Sequence, residues 1–207
     1  MTRRLAAFLL IAALFLPAGC KEEKPKVLLT AEDNAILREK ADEKIGTIIT
    51  GNLPALFAGL VVFRSDAFMY QSQMLDRANI SVLNVFGNTA ILLLNSPDIP
   101  PLLKENSVKK VHYLCRQGPL ARFDPSFEME LLRRFGEGKE GDPVPFFIRF
   151  GEPPNDKDGK FVEAAGFTIE TRAGFVWAVA GPLTSLYRLL EYDRIIYYEK
   201  ASKVRTK

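Results

Sequence analysis

Residues 164–199 read AAGFTIETRAGFVWAVAGPLTSLYRLLEYDRIIYYE, and the spacing of apolar runs and breakers in this stretch decides the fold. Two runs rich in β-branched and aromatic residues, Phe167 to Arg172 and Phe175 to Ala180, flank Ala173-Gly174. That is the sign of a tight hairpin in which glycine permits positive φ. After Pro182 the apolar residues fall at helical spacing to about Tyr192, and a further strand is expected at Arg194 to Glu199. In the other direction lie a short helix at about Lys160 to Ala165, the polar loop GEPPNDKDG at 151–159, and a strand at Val144 to Phe150. Before them Asp124-Pro125 opens a helix through about Phe135, with Phe127, Leu131 and Leu132 on one face, and the run GEGKEGDPVP ends it.

The same order is written once earlier in the chain. A helix is expected at about Ala31 to Ile49, capped by Thr30, with Ile36, Leu37, Ala41, Ile45 and Ile48 on one face. Strands at Leu60 to Arg64, Ile80 to Phe86, Thr89 to Leu94 and Val108 to Leu114 alternate with helices at about Ala67 to Ala78 and Pro97 to Glu105. Sliding the chain by 87 residues lays Phe63 on Phe150, Ala78 on Ala165, Gly87 on Gly174 and Leu102-Leu103 on Leu189-Leu190 without a gap. Apolar positions coincide as well, as in Val61 with Ile148, Ile80 with Phe167, Val82 with Ile169 and Val108 with Ile195. The reading is a tandem duplication; the other reading is one larger α+β domain whose pattern recurs.

A β-α-β-β-α-β order is the split-βαβ, or ferredoxin-like, arrangement, with both helices on one face of a four-stranded antiparallel sheet. The expected fold is therefore α+β, with a first module at 31–116, a second at 117–203 and a mobile tail at 204–207. Gly87 and Gly174 are expected at equivalent hairpin turns. Runs such as LVVF, AILLL, PFFIRF and FVWAVA offer large apolar groups to both faces, unlike the alternation of a half-solvated sheet. Something must cover the second faces: the other sheet, the leading helices or a partner protein.

In the second copy, DPSFEMELL, VPFFIRF, AAG before the next strand, the small hairpin turn, and LTSLYRLLEYDRII closing with Glu199 resemble the amino-terminal modules that precede the catalytic domain of subtilisin-like serine proteases. The likeness covers about 118–201 well and 31–116 more loosely. It implies a ferredoxin-like module whose open sheet face docks on the protease and whose carboxyl-terminal tail can enter the active-site cleft, as chaperone and inhibitor. The chain stops at ASKVRTK, so the expectation is a free-standing protein and not the front of a zymogen.

Enzymatic chemistry has thin material. The single histidine, His112, sits on a predicted strand, no GxSxG elbow is present, and GEGKEG lacks the Lys-Ser/Thr step and the preceding strand of a phosphate loop. Asn155-Asp156-Lys157-Asp158-Gly159 has the carboxylates of a calcium loop but not its closing glutamate, and Ala165 stands in that place. One histidine and two cysteines, Cys20 and Cys115, cannot build a Cys/His metal centre. No enzyme activity, cofactor or metal is expected. Basic and acidic residues number 28 and 25, and setting Arg3 and Arg4 aside as part of a targeting segment leaves 26 against 25, so no charge argument for nucleic acid survives.

The amino terminus reads as an export signal: MTRR is a positive n-region, Leu5 to Leu16 an apolar core, and Pro17-Ala18-Gly19 precede Cys20. About 12 apolar residues reach only about 18 Å as a helix, short of the roughly 30 Å hydrocarbon core. LPAGC resembles a bacterial lipobox, although Pro17 stands where the pattern prefers Leu and Leu16 lies one place further back. The resemblance implies a signal peptide at 1–19, lipid attachment at Cys20 and a charged tether at 20–30. Lys21 is not the Asp associated with inner-membrane retention, so the outer membrane, facing the periplasm, is the expected location. Durable anchoring is expected because each buried methylene contributes about 0.8 kcal/mol and more than one acyl chain is attached.

Aromatic area concentrates near the carboxyl end in Trp177, Tyr187, Tyr192, Tyr197 and Tyr198. Core packing accounts for such a cluster; a protein-binding face containing Trp177, Tyr197 and Tyr198, with Val204 in the tail, is the sharper expectation. Together these readings point to a non-enzymatic exported lipoprotein that binds another protein, with a subtilisin-like protease as the partner the resemblance implies. A periplasmic small-molecule sensor or carrier, with a pocket between the modules, is the alternative.

Overall fold

Two α-helices, a strand-helix-strand-strand-helix-strand run, one more helix and a second such run follow one another in the computed structural model. It describes residues 29–51, 56–65, 68–116 and 122–201, and the side chains of 68–72 lie outside that description. The first half contains α1 (Ala31–Lys40), α2 (Glu43–Thr50), β1 (Leu56–Phe63), α3 (Phe68–Arg77), β2 (Ser81–Phe86), β3 (Thr89–Asn95), α4 (Ile99–Lys104) and β4 (Val108–Arg116). The second contains α5 (Pro125–Gly136), β5 (Pro143–Phe150), α6 (Asp156–Ala164), β6 (Thr168–Ala173), β7 (Val176–Pro182), α7 (Leu186–Leu190) and β8 (Ile195–Lys200). Short 3-10 turns, Ser96–Asp98 and Leu183–Ser185, lead into α4 and α7.

The molecule is thus mixed α+β with two four-stranded antiparallel sheets, ordered β2-β3-β1-β4 and β6-β7-β5-β8. Their registers agree at an offset of 87. Val61 faces Ala90 and Val111, and Ile148 faces Trp177 and Tyr198. The irregularities agree too, falling between Val82 and Asn84 in one edge pair and between Ile169 and Thr171 in the other. Gly87 (φ 57°) and Gly174 (φ 56°) close the two hairpins in the left-handed region that glycine enters without a Cβ clash.

The expected single leading helix at 31–49 is two helices. Ala41 turns extended (φ −110°, ψ 154°) and pairs with Val111 beside β4. Asp42 then caps α2, its backbone N–H donating to the Val111 carbonyl at 3.2 Å and its carboxylate accepting from Ile45 N (2.9 Å) and Tyr113 N (2.6 Å). An aspartate that can bind backbone donors outside the helix competes with helix continuation, and here the sheet edge tips the balance. Phe123 and Asp124 repeat the device at α5. Phe123 bridges Tyr198, and Asp124 N donates to the Tyr198 carbonyl at 2.9 Å. The leading helices therefore correspond at an offset of 82, Asp42 to Asp124.

β1 also begins earlier than its expected start at Leu60. The ladder continues through Gly59, which pairs with Leu92 and Tyr113, and glycine suits the place because a Cβ there would come within 2.6 Å of Leu94 Cδ1.

The inner face of the first sheet carries Phe57, Val61 and Phe63, which share a buried cluster with Leu37, Ile45, Ile49, Leu75, Ile99 and Leu102 from α1–α4. Its other face carries Ala58, Leu60, Val62 and Ile91, which join a second cluster with Leu131, Leu132 and Phe135 of α5. α7 packs on β4 at that side. The same two helices lie over the inner face of the second sheet, where Phe127 meets Phe146 at 5.0 Å and the Tyr198 hydroxyl donates to the Leu189 carbonyl at 2.7 Å. The layers thus run helices, sheet, helices, sheet. Of the three covers allowed for the second face of the first sheet, the leading helix of the second half is the one used, joined by α7.

Candidate functional site

Among the described residues the outer face of the second sheet is open, and edge strand β2 of the first sheet also exposes Val82, Leu83 and Phe86. Burial along β5 alternates: Val144, Phe146, Ile148 and Phe150 are buried, while Pro145 and Arg149 are exposed and Phe147 is half-buried. Arg149 pairs with Tyr197 and Phe147 with Glu199 on β8, and on the other side with Val176 and Ala178 on β7. Phe147, Tyr197, Val176 and Ala178 make a half-buried apolar centre; Arg149 and Glu199 are exposed beside it. The corresponding positions of the first sheet, Leu60, Val62, Ile91 and His112, are buried under α5 and α7.

The aromatic cluster divides accordingly. Trp177 (3% exposed) and Tyr198 (fully buried) point into the core of the second half, Trp177 edge-on to Phe150 at 4.8 Å and beneath the Arg172 guanidinium. They offer no surface to a partner. Tyr197, one residue from Tyr198, is on the outer face, because successive strand residues point to opposite sides. Tyr187 meets Tyr113 across the two halves, and Tyr192 stacks on Phe161. Gly87 and Gly174 sit at their hairpin turns. Cys20 and Val204 lie outside the described residues. Phe147, which the sequence reading did not single out, is the central residue of the open face; its alternation with Phe146 and Ile148 was the available signal.

A second concavity lies where the halves meet. A cleft of about 300 Å³ is walled by Asp42, Lys44, Lys110, His112, Ser185 and Arg188, among others. His112 is 8% exposed, its Nε2 has no hydrogen-bond partner, and its ring stands edge-on to Phe135 at 4.8 Å. Burial, helped by nearby Lys110, depresses its pKa to about 4, so the imidazole is neutral at pH 7. Close by, the Tyr113 hydroxyl donates to Glu191 at 2.9 Å, and Lys44 pairs with Glu191 at 3.5 Å. Thr184 and Ser185 line the same cleft as His112, and Cys115 is buried with its thiol pushed up to about 12.

Residues 156–159, expected as a polar loop, form the first turn of α6 behind its cap Asn155, and Asp158 serves the fold there. Asp158 is fully buried; its carboxylate accepts from Asn155 N (2.7 Å) and the Tyr192 hydroxyl (2.6 Å) and pairs with Arg194 at 2.8 Å. Burial raises its pKa, but these partners outweigh burial and hold it below the usual carboxylate range. Among the described residues no group of three or more His, Cys, Asp or Glu side chains gathers as a metal site, and no helix is long and apolar enough to cross a membrane. Comparison of the chain with protein-family models, curated proteins and solved structures finds no match.

Proposed function

We propose that this chain is a non-enzymatic, exported lipoprotein of two ferredoxin-like modules, anchored through Cys20, that binds another protein by the outer face of its second sheet. The strand order β2-β3-β1-β4 and its repeat in the second sheet fit that module and a tandem duplication. One observation carries the reading: the outer face of the first sheet lies under two helices, α5 and α7, while its counterpart in the second sheet is open among the described residues and half-apolar. A partner presenting a pair of helices would bury Phe147 and Tyr197 at the centre, with Arg149 and Glu199 at the rim, the arrangement of an interface with aromatic anchors. The sequence resemblance makes that partner a subtilisin-like protease, with the tail around Val204 directed toward its cleft.

The test is binding and inhibition of subtilisin-like proteases by the purified mature chain. Phe147→Glu combined with Tyr197→Glu should weaken both by about a thousandfold, roughly two hot-spot side chains' worth. Failure of the unaltered chain to bind or inhibit any such protease removes the reading. Separately, Cys20→Ala should release the protein from membranes and abolish fatty-acid labelling; a variant that still labels ends the anchor proposal.

The carrier reading rests on the cleft between the halves, because an unpartnered buried imidazole nitrogen on its wall is a group a bound polar molecule could satisfy. Metabolite extracts that leave the His112 resonances unmoved would remove it.

A further inference from the structure

Correspondence between the halves makes each a template for the other, and at one place they differ in kind. Between α3 and α4 runs a groove of about 620 Å³, lined by Met74, Ala78, Ile80, Leu102 and the rings of Pro97 and Pro101. At the offset of 87, Met74 corresponds to Phe161 and Glu105 to Tyr192. In the second half those two rings stack on each other, centroids 3.9 Å apart and planes 14° from parallel, with the Tyr192 hydroxyl donating to Asp158. The space between the helices is filled there by an aromatic pair belonging to the chain. The first half has a thioether and a carboxylate at the same two places, and the groove results.

We propose that the α3–α4 groove is a binding site for a small planar aromatic molecule bearing a hydroxyl or amino substituent, seated where the second half places its own rings. Its volume is in the range of sites for small molecules, and since a cavity of about 150 Å³ already holds benzene, one or two rings would occupy part of it. Methionine favours ring contact through its polarisable sulfur, and the proline rings offer flat apolar walls. Glu105, also on the lining, accepts a hydrogen bond from a phenolic hydroxyl or an ammonium group, and Arg77 donates to a ring oxygen. Both charged groups are exposed and an alicyclic alcohol could meet them equally, so the preference for an aromatic ring rests on the sulfur and proline contacts. The groove is on the helix side of the first sheet, whereas α5 and α7 cover its other side, so the site is independent of the open face of the second sheet.

The experiment uses the full chain, labelled with ¹⁵N and titrated with phenol, tyramine and, as the aliphatic control, cyclohexanol. Phenol and tyramine are expected to move the amides of Met74, Ala78 and Leu102 and to saturate, while cyclohexanol at the same concentration leaves them in place. Met74→Phe with Glu105→Tyr, which rebuilds the ring pair, should weaken binding at least about tenfold. Ala78→Phe, at an exposed position on the groove wall, should do the same without touching the core. The proposal is overturned by an absence of saturable shifts at about 5 mM ligand, roughly the weakest affinity worth the name. Equal response to cyclohexanol, response only to a tyrosine-containing peptide and not to the free rings, or undiminished binding by both variants would overturn it equally.

Discussion

The Thr89 hydroxyl, buried in β3, donates to the Leu132 carbonyl of α5 at 3.0 Å, and so ties the first half of the chain to the leading helix of the second. The same oxygen donates to the Phe86 carbonyl at 2.7 Å, which makes it a shared bond between hairpin and helix. Around it the two halves bury one continuous cluster, Ala58, Leu60 and Val62 with Leu131, Leu132 and Phe135.

Because that cluster is common property, the halves are expected to unfold together. Thr89→Val keeps the shape and removes the hydroxyl, and should cost about 1 kcal/mol, the net worth of a typical hydrogen bond. Urea unfolding followed by the single tryptophan, Trp177, and by far-ultraviolet circular dichroism should give coincident transitions for both proteins. Separate transitions would show that the shared layer does not couple the halves.

Leu60 and Phe147 occupy equivalent strand positions in opposite surroundings, one beneath α5 and the other half-buried on the open face. Leu60→Asp should destabilise the protein by about 4 kcal/mol or unfold it, since it places a charge in a closed apolar layer. Phe147→Asp should move stability by about 1 kcal/mol or less, in line with surface substitutions. Thermal melts of the two variants check the contrast, and similar losses would mean that the outer face of the second sheet is covered after all.

His112 predicts a pH dependence. Its folded-state pKa near 4 lies below the ordinary 6.5, so between those values the unfolded chain binds a proton that the folded chain refuses. Stability from this group is complete above pH 6.5 and is lost as pH falls toward 4, by roughly 3 kcal/mol. His112→Gln should flatten the dependence in that window, read from urea midpoints at a series of pH values.

Glu130 acts lower on the scale. Its carboxylate, on α5, accepts from Arg133 (2.6 Å), Arg134 (2.9 Å) and Lys200 of β8 (3.0 Å). Burial raises its pKa most among single influences, yet the three donors together bring it down to about 2. Its contribution is present above pH 4.5 and disappears as pH falls toward 2. Glu130→Gln should cost about 2 kcal/mol at pH 7, as for charge-assisted bonds, and almost nothing near pH 2.

The alternation of strands, helices and breakers, the Gly87 and Gly174 turns, and the 87-residue correspondence were legible in the sequence because each depends on local rules. Side-chain period, turn chemistry and caps act within a few residues of one another. The same local rules could not separate Trp177 and Tyr198 from Tyr197, since aromatic content says nothing about which side of a strand is covered. The break at Ala41-Asp42 was missed for a related reason: Asp42 finds partners in Val111 and Tyr113, about 70 residues away in the chain.

Two-sided apolar strands such as Leu60-Val61-Val62-Phe63 announced that both faces of the first sheet would be buried, and their burial agrees. What buries them was decided only by tertiary structure. α5 carries Phe127 toward the second sheet and Leu132 and Phe135 toward the first, so one helix serves both layers. Hydrophobic burial has no direction of its own, and any apolar surface of suitable shape would have satisfied the sequence. Chain connectivity and fit placed α5 and α7 over the first sheet, and by the same step left the outer face of the second open among the described residues.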